Sequence, residues 1–181
     1  MADQVFIAGQ ILTAAQMQAL QINSALVPIK YQTIGSAQTS IAVASAFSTT
    51  FDNYLIQISG GVASTAVELR LQMTGTTSGY YYQLLYGGWA GLALAEGSTT
   101  AASFVYTGTG TTSGLMMNCN VMNPFNATAT MVQAPFMTAS LGAGVNSGLL
   151  PNTTSYTGFT IVVAGGNVTG GTIAVYGYRK A

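Results

Sequence analysis

The chain has 181 residues, yet only eight carry a formal charge, four of each sign, and it contains no histidine. At 4% charged and 49% hydrophobic, it cannot be a disordered chain, which needs high charge and low hydrophobicity. It also falls far below the roughly one-quarter charged residues usual in freely soluble proteins. With a net charge of zero, nothing keeps copies apart in solution, so much of the surface is expected to be buried against other copies or other proteins.

In chain order, residues 1–30 come first and read as an arm. Thr13-Ala14-Ala15-Gln16 has the form of a capping box, in which the Thr hydroxyl and the Gln side chain each satisfy a backbone N–H at a helix start. Good helix formers continue from there to Leu26. Ile11, Ala15, Ala19, Ile22 and Leu26 recur at spacings of three and four, giving one apolar stripe, and Leu20 adds to its bulk. Pro28 is expected to close the helix, because proline lacks the N–H and disfavours helix before it. The stripe packs either on its own domain or on a neighbouring subunit, and periodicity alone does not choose between them.

From residue 31 to residue 181 the apolar period changes to two. Val67, Leu69, Leu71 and Met73 alternate with Glu68, Arg70 and Gln72, the pattern of a half-buried strand. Similar runs cover Tyr54–Ile58, Tyr80–Tyr86, Trp89–Leu94, Ala101–Thr107, Leu115–Val121, Thr128–Thr138, Phe159–Val163 and Thr172–Tyr178, separated by Gly/Ser/Thr/Asn clusters. Many short strands with tight turns predict an all-β fold, a jelly-roll-like antiparallel β-sandwich carrying a short N-terminal helical arm. The hexapeptide Thr-Gly-Thr-Thr-Ser-Gly at 74–79 returns at 109–114 and, loosely, as Ala-Gly-Val-Asn-Ser-Gly at 143–148. This echo reads as either a threefold repeat or shared hairpin chemistry.

Chemistry-bearing groups are scarce. Without histidine there is no Ser-His-Asp triad and no imidazole metal ligand. A glycosidase needs two carboxylates some 5–10 Å apart, and nothing in the spacing of Asp3, Asp52, Glu68 and Glu96 brings two together. Glu68 and Arg70, two apart on one strand face, read as partners of each other. The Gly-rich turns lack the Lys and following helix of a phosphate loop. Asn118, Asn120, Asn123 and Asn126 have no carboxylate beside them for calcium. No catalytic residue, cofactor or metal site is therefore expected. Lys30, Arg70, Arg179 and Lys180 are too few for nucleic acid. No apolar run reaches the length of a membrane-spanning helix, the opening residues do not read as a signal peptide, and the single Cys119 suits a reducing cytoplasm. A transmembrane barrel also alternates, but its usual export signal and charged loops are missing. The densest aromatic patch, Tyr80, Tyr82, Tyr86 and Trp89, offers either rings for a glycan or a subunit contact, where tyrosine is favoured.

Three segments resemble virion structural proteins of tailed bacteriophages. Phe6-Ile7-Ala8-Gly9-Gln10-Ile11-Leu12-Thr13-Ala14-Ala15 is similar to the F-x-A-G-x-x-L-T-A-A opening common among tail and fibre proteins, although Gln18 stands where members carry Asn. Phe51-Asp52-Asn53-Tyr54-Leu55-Ile56, with the strand Glu68-Leu69-Arg70-Leu71, and the ending Gly170–Arg179 complete the likeness. It implies a non-enzymatic β-sandwich subunit made in the host cytoplasm and carried on the virion, tail- or fibre-associated or decorating the capsid. Such subunits are often homotrimers, attached to other virion proteins through the N-terminal part. The expected anchoring residues are then Ile11, Ala15, Ala19, Leu20, Ile22 and Leu26, and a host receptor or surface glycan is the alternative partner for Tyr80–Trp89.

Overall fold

The computed structural model describes residues 11, 13, 14, 16, 26–139 and 142–180. Within them every paired strand runs antiparallel, as an all-β sandwich made from one strongly curled sheet. The strands are β1 (Leu26–Thr33), β2 (Ser40–Val43), β3 (Asn53–Ser59), β4 (Val62–Ala63), β5 (Val67–Met73), β6 (Tyr80–Gly87) and β7 (Ala93–Ala101). They continue as β8 (Phe104–Thr111), β9 (Gly114–Met122), β10 (Thr130–Thr138), β11 (Gly142–Leu150), β12 (Phe159–Ala164), β13 (Val168–Thr169) and β14 (Thr172–Tyr178).

The sheet forks at β9. On one edge β9 pairs with β3, which leads through β14 to β1. Its other edge is shared: Gly114–Met117 pair with β8, and Asn120–Met122 pair with β10. From β8 one wing runs through β5 and β12 to β2, and from β10 another runs through β11 and β6 to β7. A small ribbon of β4 and β13 closes one end.

Alternation decides what lies inside. Val67, Leu69, Leu71 and Met73 of β5 are buried, and so are Tyr54, Ile56 and Ile58 of β3, Met117, Cys119 and Val121 of β9, and Phe159, Ile161 and Val163 of β12. These pack into one continuous core, and each large side chain so buried contributes roughly 1.5–3 kcal/mol. The interior is thus apolar, whereas a transmembrane barrel turns its polar residues inward. A second, smaller cluster of Leu84, Val105 and Phe136, flanked by Tyr82, Tyr86 and Tyr106, lies between β8 and the β10–β11–β6 wing.

The curl brings β2 beside β1, although the two do not pair. Instead, the Lys30 ammonium and the Gln32 amide of β1 donate to the Ala44 and Ala42 carbonyls along the outer edge of β2. Side chains thus satisfy an edge that would otherwise present bare backbone acceptors.

Several expectations need correction. Leu26 is not helical as expected, since Leu26–Thr33 is a strand paired with Val175–Tyr178 and Thr172–Ala174. Pro28 is accommodated at an edge strand, with the register shifting just after it. This suits a residue without an N–H. The sandwich therefore begins at residue 26 rather than 31. Thr13 and Gln16 do form the capping box: Gln16 Oε1 accepts from the Thr13 N–H at 2.9 Å, and Thr13 Oγ1 accepts from the Gln16 N–H at 3.3 Å. Ala15, Ala19, Leu20 and Ile22 lie outside the described residues. Trp89–Leu94 straddles a turn rather than forming a strand, with the Gly88 N–H bonded to the Leu92 carbonyl.

The three echoes occupy different places, so they mark no threefold repeat. Residues 74–79 link β5 to β6, 109–114 span the β8–β9 hairpin, and 143–148 lie inside β11. β11 was hidden because glycine weakens a strand. Here glycine is required by close approach. A Cβ on Gly144 would sit 2.3 Å from the Leu85 carbonyl oxygen, and one on Gly148 would sit 2.4 Å from the Phe104 ring.

Candidate binding face and polar cluster

β6 divides its side chains between two environments. Tyr80, Tyr82, Leu84 and Tyr86 point inward, and Tyr81, Gln83 and Leu85 point outward. Tyr80 is fully buried: its hydroxyl accepts from the Met73 N–H at 2.8 Å and donates to the Thr76 carbonyl at 2.9 Å. Its ring meets Phe104 edge-on at 4.8 Å. Tyr80 is thereby removed as a ligand or subunit contact, and burial pushes its phenol above the ordinary tyrosine value. Tyr86 is half-buried against Phe136. Trp89 is exposed in the turn, its indole N–H donating to the Thr138 carbonyl at 2.9 Å. The four aromatic residues of the dense patch thus separate, and Tyr81 joins Trp89 on the surface.

Tyr82 belongs to a polar cluster that the spacing of the carboxylates did not reveal. Its hydroxyl donates to Glu96 Oε1 at 3.0 Å, and burial, then this bond, raise its pKa. Glu68 lies near by, accepting from the Tyr106 N–H at 2.9 Å and pairing with Arg70 at 2.7 Å. Glu68 and Glu96 both act electrostatically on Tyr82 and Tyr106. Tyr106 adopts a left-handed backbone, with φ of 45°, at the irregular step where Leu69 and Leu71 pair with β8. The Glu68 side chain compensates for that break by capping the Tyr106 N–H. Arg70 Nε is buried there without a hydrogen-bond partner.

Asp52 has a different task. It pairs with Lys180 at 2.8 Å and accepts from the Asn126 amide at 3.1 Å, and these bonds hold its carboxyl below the usual value. Asp52 thereby ties the last residues to the start of β3. The segments Phe51–Ile56 and Gly170–Arg179 are also laid side by side, with Tyr54 opposite Gly177 and Ile56 opposite Val175. Their shared role is structural. The Tyr54 hydroxyl accepts from the Ser48 N–H at 2.8 Å, fixing the preceding loop. Within Asn118–Asn126, the Asn126 amide donates to both Asp52 Oδ1 and Asn123 Oδ1, at 3.1 and 3.2 Å, so the fold does bring one carboxylate beside this run. Cys119 is fully buried, and burial raises its thiol pKa, which leaves it unreactive.

The exposed side of the β10–β11–β6–β7 wing is a broad sheet face. Cross-strand registers set its rows: Pro135–Val145–Leu85–Ala95, then Gln133–Ser147–Gln83–Gly97, then Met131–Leu149–Tyr81. No charged residue stands on this face, although Leu85 is 63% exposed. An open trough of about 900 Å³ runs across it, lined by Tyr81, Gln83, Thr99, Met131, Gln133 and Ser147 among others. It offers the rings of Tyr81 and Tyr82, the amides of Gln83 and Gln133 and the hydroxyls of Ser98, Thr99 and Ser147 among apolar side chains, a surface without charge.

No known protein family matches the sequence, and no curated protein matches it. A solved structure of infectious bursal disease virus, the VP2 subviral particle, aligns with 84% of this chain at 10% identity and a TM-score of 0.15. This chain spans 41% of that one, and a similarity at this level carries no argument about fold or role.

Proposed function

We propose that the chain is a non-enzymatic structural subunit of a tailed-phage virion, an oligomeric sandwich displayed on the particle and attached through residues preceding β1. The observation that carries this reading is the uncharged, exposed outer face of β10–β11–β6–β7. Exposed apolar rows on either side of a neutral polar one suit an interaction site in a soluble protein, and they fit a composition poor in charge. The resemblance of the opening, of Phe51–Ile56 and of Gly170–Arg179 to virion proteins supplies the particle. Asp52, Glu68 and Glu96 each have structural partners, which supports a role without catalysis.

The test is incorporation. Ile22→Lys should leave the purified chain folded, with an unchanged circular dichroism spectrum, and exclude it from particles assembled in its presence. Normal incorporation of that variant would remove the anchoring role. Absence of the wild-type chain from purified particles would remove the virion reading altogether.

The trough supports a second reading, binding of a neutral host-surface glycan, because amides and hydroxyls beside an exposed ring suit sugar hydroxyls and CH faces. Tyr81→Ala should abolish any glycan-array signal given by the wild type. An array without signal for the wild type rejects this reading.

A further inference from the structure

The outer face of the sheet carries a polar ladder that runs across the strands. Asn120 of β9 pairs with Gln133 of β10, Gln133 with Ser147 of β11, and Ser147 with Gln83 of β6. Hydrogen-bonding side chains thus stand in register on adjacent strands, about 4.8 Å apart. Apolar rails flank them, Met122–Met131–Leu149–Tyr81 on one side and Pro135–Val145–Leu85 on the other. The ladder ends on β7 at Gly97, where a Cβ would lie 2.9 Å from Gln83 Oε1. Glycine there gives the Gln83 amide room and leaves the trough open toward Ser98 and Thr99.

The rungs are unspent. Gln32, Gln38 and Gln72 commit their amides to the Ala42, Ser36 and Ala102 carbonyls. Among the described residues, no hydrogen bond uses the side chain of Gln83, Gln133 or Ser147. Asn120 uses only its oxygen, which accepts from the Tyr178 hydroxyl at 2.7 Å. The three amides of the ladder therefore keep their N–H donors for a ligand. Neither a cation nor a carboxylate stands on these rows.

We propose that this face binds an uncharged polysaccharide in extended form, lying across the strands with one sugar ring over each rung of the ladder. This rests on the glycan reading of the trough above and names the class of chain and its direction. Charge and spacing select the occupant. With no cation on the rows, an acidic glycan, a phosphate or a nucleic acid finds no charged partner. Straight chains of pyranose rings, joined through opposite equatorial corners, repeat at close to the strand spacing. Their hydroxyls meet a rung at every strand while ring CH groups rest on the rails. An extended peptide returns to the same side only every 6.6 Å or so, about two residues of rise, and falls out of step within two rungs. The trough reaches from Met122 on β9 to Thr99 on β7, four gaps of about 4.8 Å, which accommodates about four rings.

The experiment titrates the full chain calorimetrically with neutral oligosaccharides of increasing length. Straight oligomers of glucose, N-acetylglucosamine and mannose, from disaccharide to hexasaccharide, are compared with maltohexaose, a curved chain. For at least one straight series, affinity should rise about three- to tenfold with each ring up to about four, as each reaches a further rung, and then level off. Gln83→Leu and Gln133→Leu should each weaken the tightest hexasaccharide by about tenfold without altering the circular dichroism spectrum. The length series on the wild type decides the matter even where a variant folds poorly. Equal affinity for maltohexaose, or no gain beyond the disaccharide, overturns the ladder and leaves the glycan reading standing. Absence of binding by every straight series at concentrations on the order of 10 mM also overturns it. A signal elsewhere on a glycan array then keeps the broader reading, and a silent array removes both. If no sugar binds and Leu85→Asp lowers the mass of an assembled species, the face belongs to another copy and the proposal falls.

Discussion

Gly148 faces Phe104 so closely that a single added carbon would lie 2.4 Å from the ring, with Val132 Cγ2 at 2.8 Å on another side. That contact seats β11 against β8 and lets Phe104 pack edge-on to Tyr80. Gly148→Ala should therefore destabilise the fold by about 1–3 kcal/mol, the usual cost of overpacking a core. Urea denaturation should show a lower midpoint with an unchanged slope. A midpoint equal to the wild type would mean that β11 and β8 lie further apart than described.

Tyr80→Phe removes a hydroxyl that serves two backbone groups, the Met73 N–H and the Thr76 carbonyl. Leaving them unpaired in the core should cost about 1–3 kcal/mol. The same residue shapes the alkaline limb. Its folded pKa lies above the unfolded value of about 10, so its contribution is complete below that pH and is lost as pH rises beyond it. Thermal unfolding from pH about 8 to 11 should fall more steeply in the wild type than in Tyr80→Phe.

Asp52 works in the opposite direction. Lys180 and Asn126 hold its folded pKa below the unfolded value of about 3.9. What it contributes is present above that value and is lost as pH falls through the depressed one. Asp52→Asn should show a flatter acid limb, converging with the wild type at the lowest pH. High salt should narrow the gap at neutral pH, because the Lys180 pair is exposed.

Leu85→Asp and Val145→Lys place charge on the outer face at positions 63% and 39% exposed. Stability should stay within about 0.5 kcal/mol, as for most surface substitutions, while sedimentation shows a smaller particle. Loss of stability without change in mass would assign this face to the fold rather than to assembly.

The sequence revealed strands wherever one face is buried and the other is wet. Val67–Met73 shows this most plainly, with Val67, Leu69, Leu71 and Met73 buried and the residues between them half-exposed. It did not reveal β11, because Gly144 and Gly148 look like turn chemistry until Leu85 and Phe104 are seen to press on them. Leu26 continued a helical stripe on paper, yet its pairing with Tyr178 lies 152 residues away in sequence, and such a partner leaves no local trace. Parity did separate Tyr81 from Tyr80 and Tyr82, but it could not say which side is wet. That depends on β10 and β11 joining β6 in one sheet. The Glu68–Arg70 pair was legible from spacing. The approach of Glu96 to Tyr82 was not, because it needs β7 paired to β6.

The fork at β9 has a mechanical consequence. Only Met131–Met122, Val132–Val121 and Gln133–Asn120 join β10 to β9, whereas β10 and β11 share nine rungs. The β10–β11–β6–β7 wing thus has a short backbone seam and is held largely by packing, with Tyr80, Val132, Ala134 and Leu150 in the main core and Leu84 and Phe136 in the smaller cluster. Because packing rather than a long ladder carries this joint, a change among those buried side chains would alter the angle between the two wings more than the register within either.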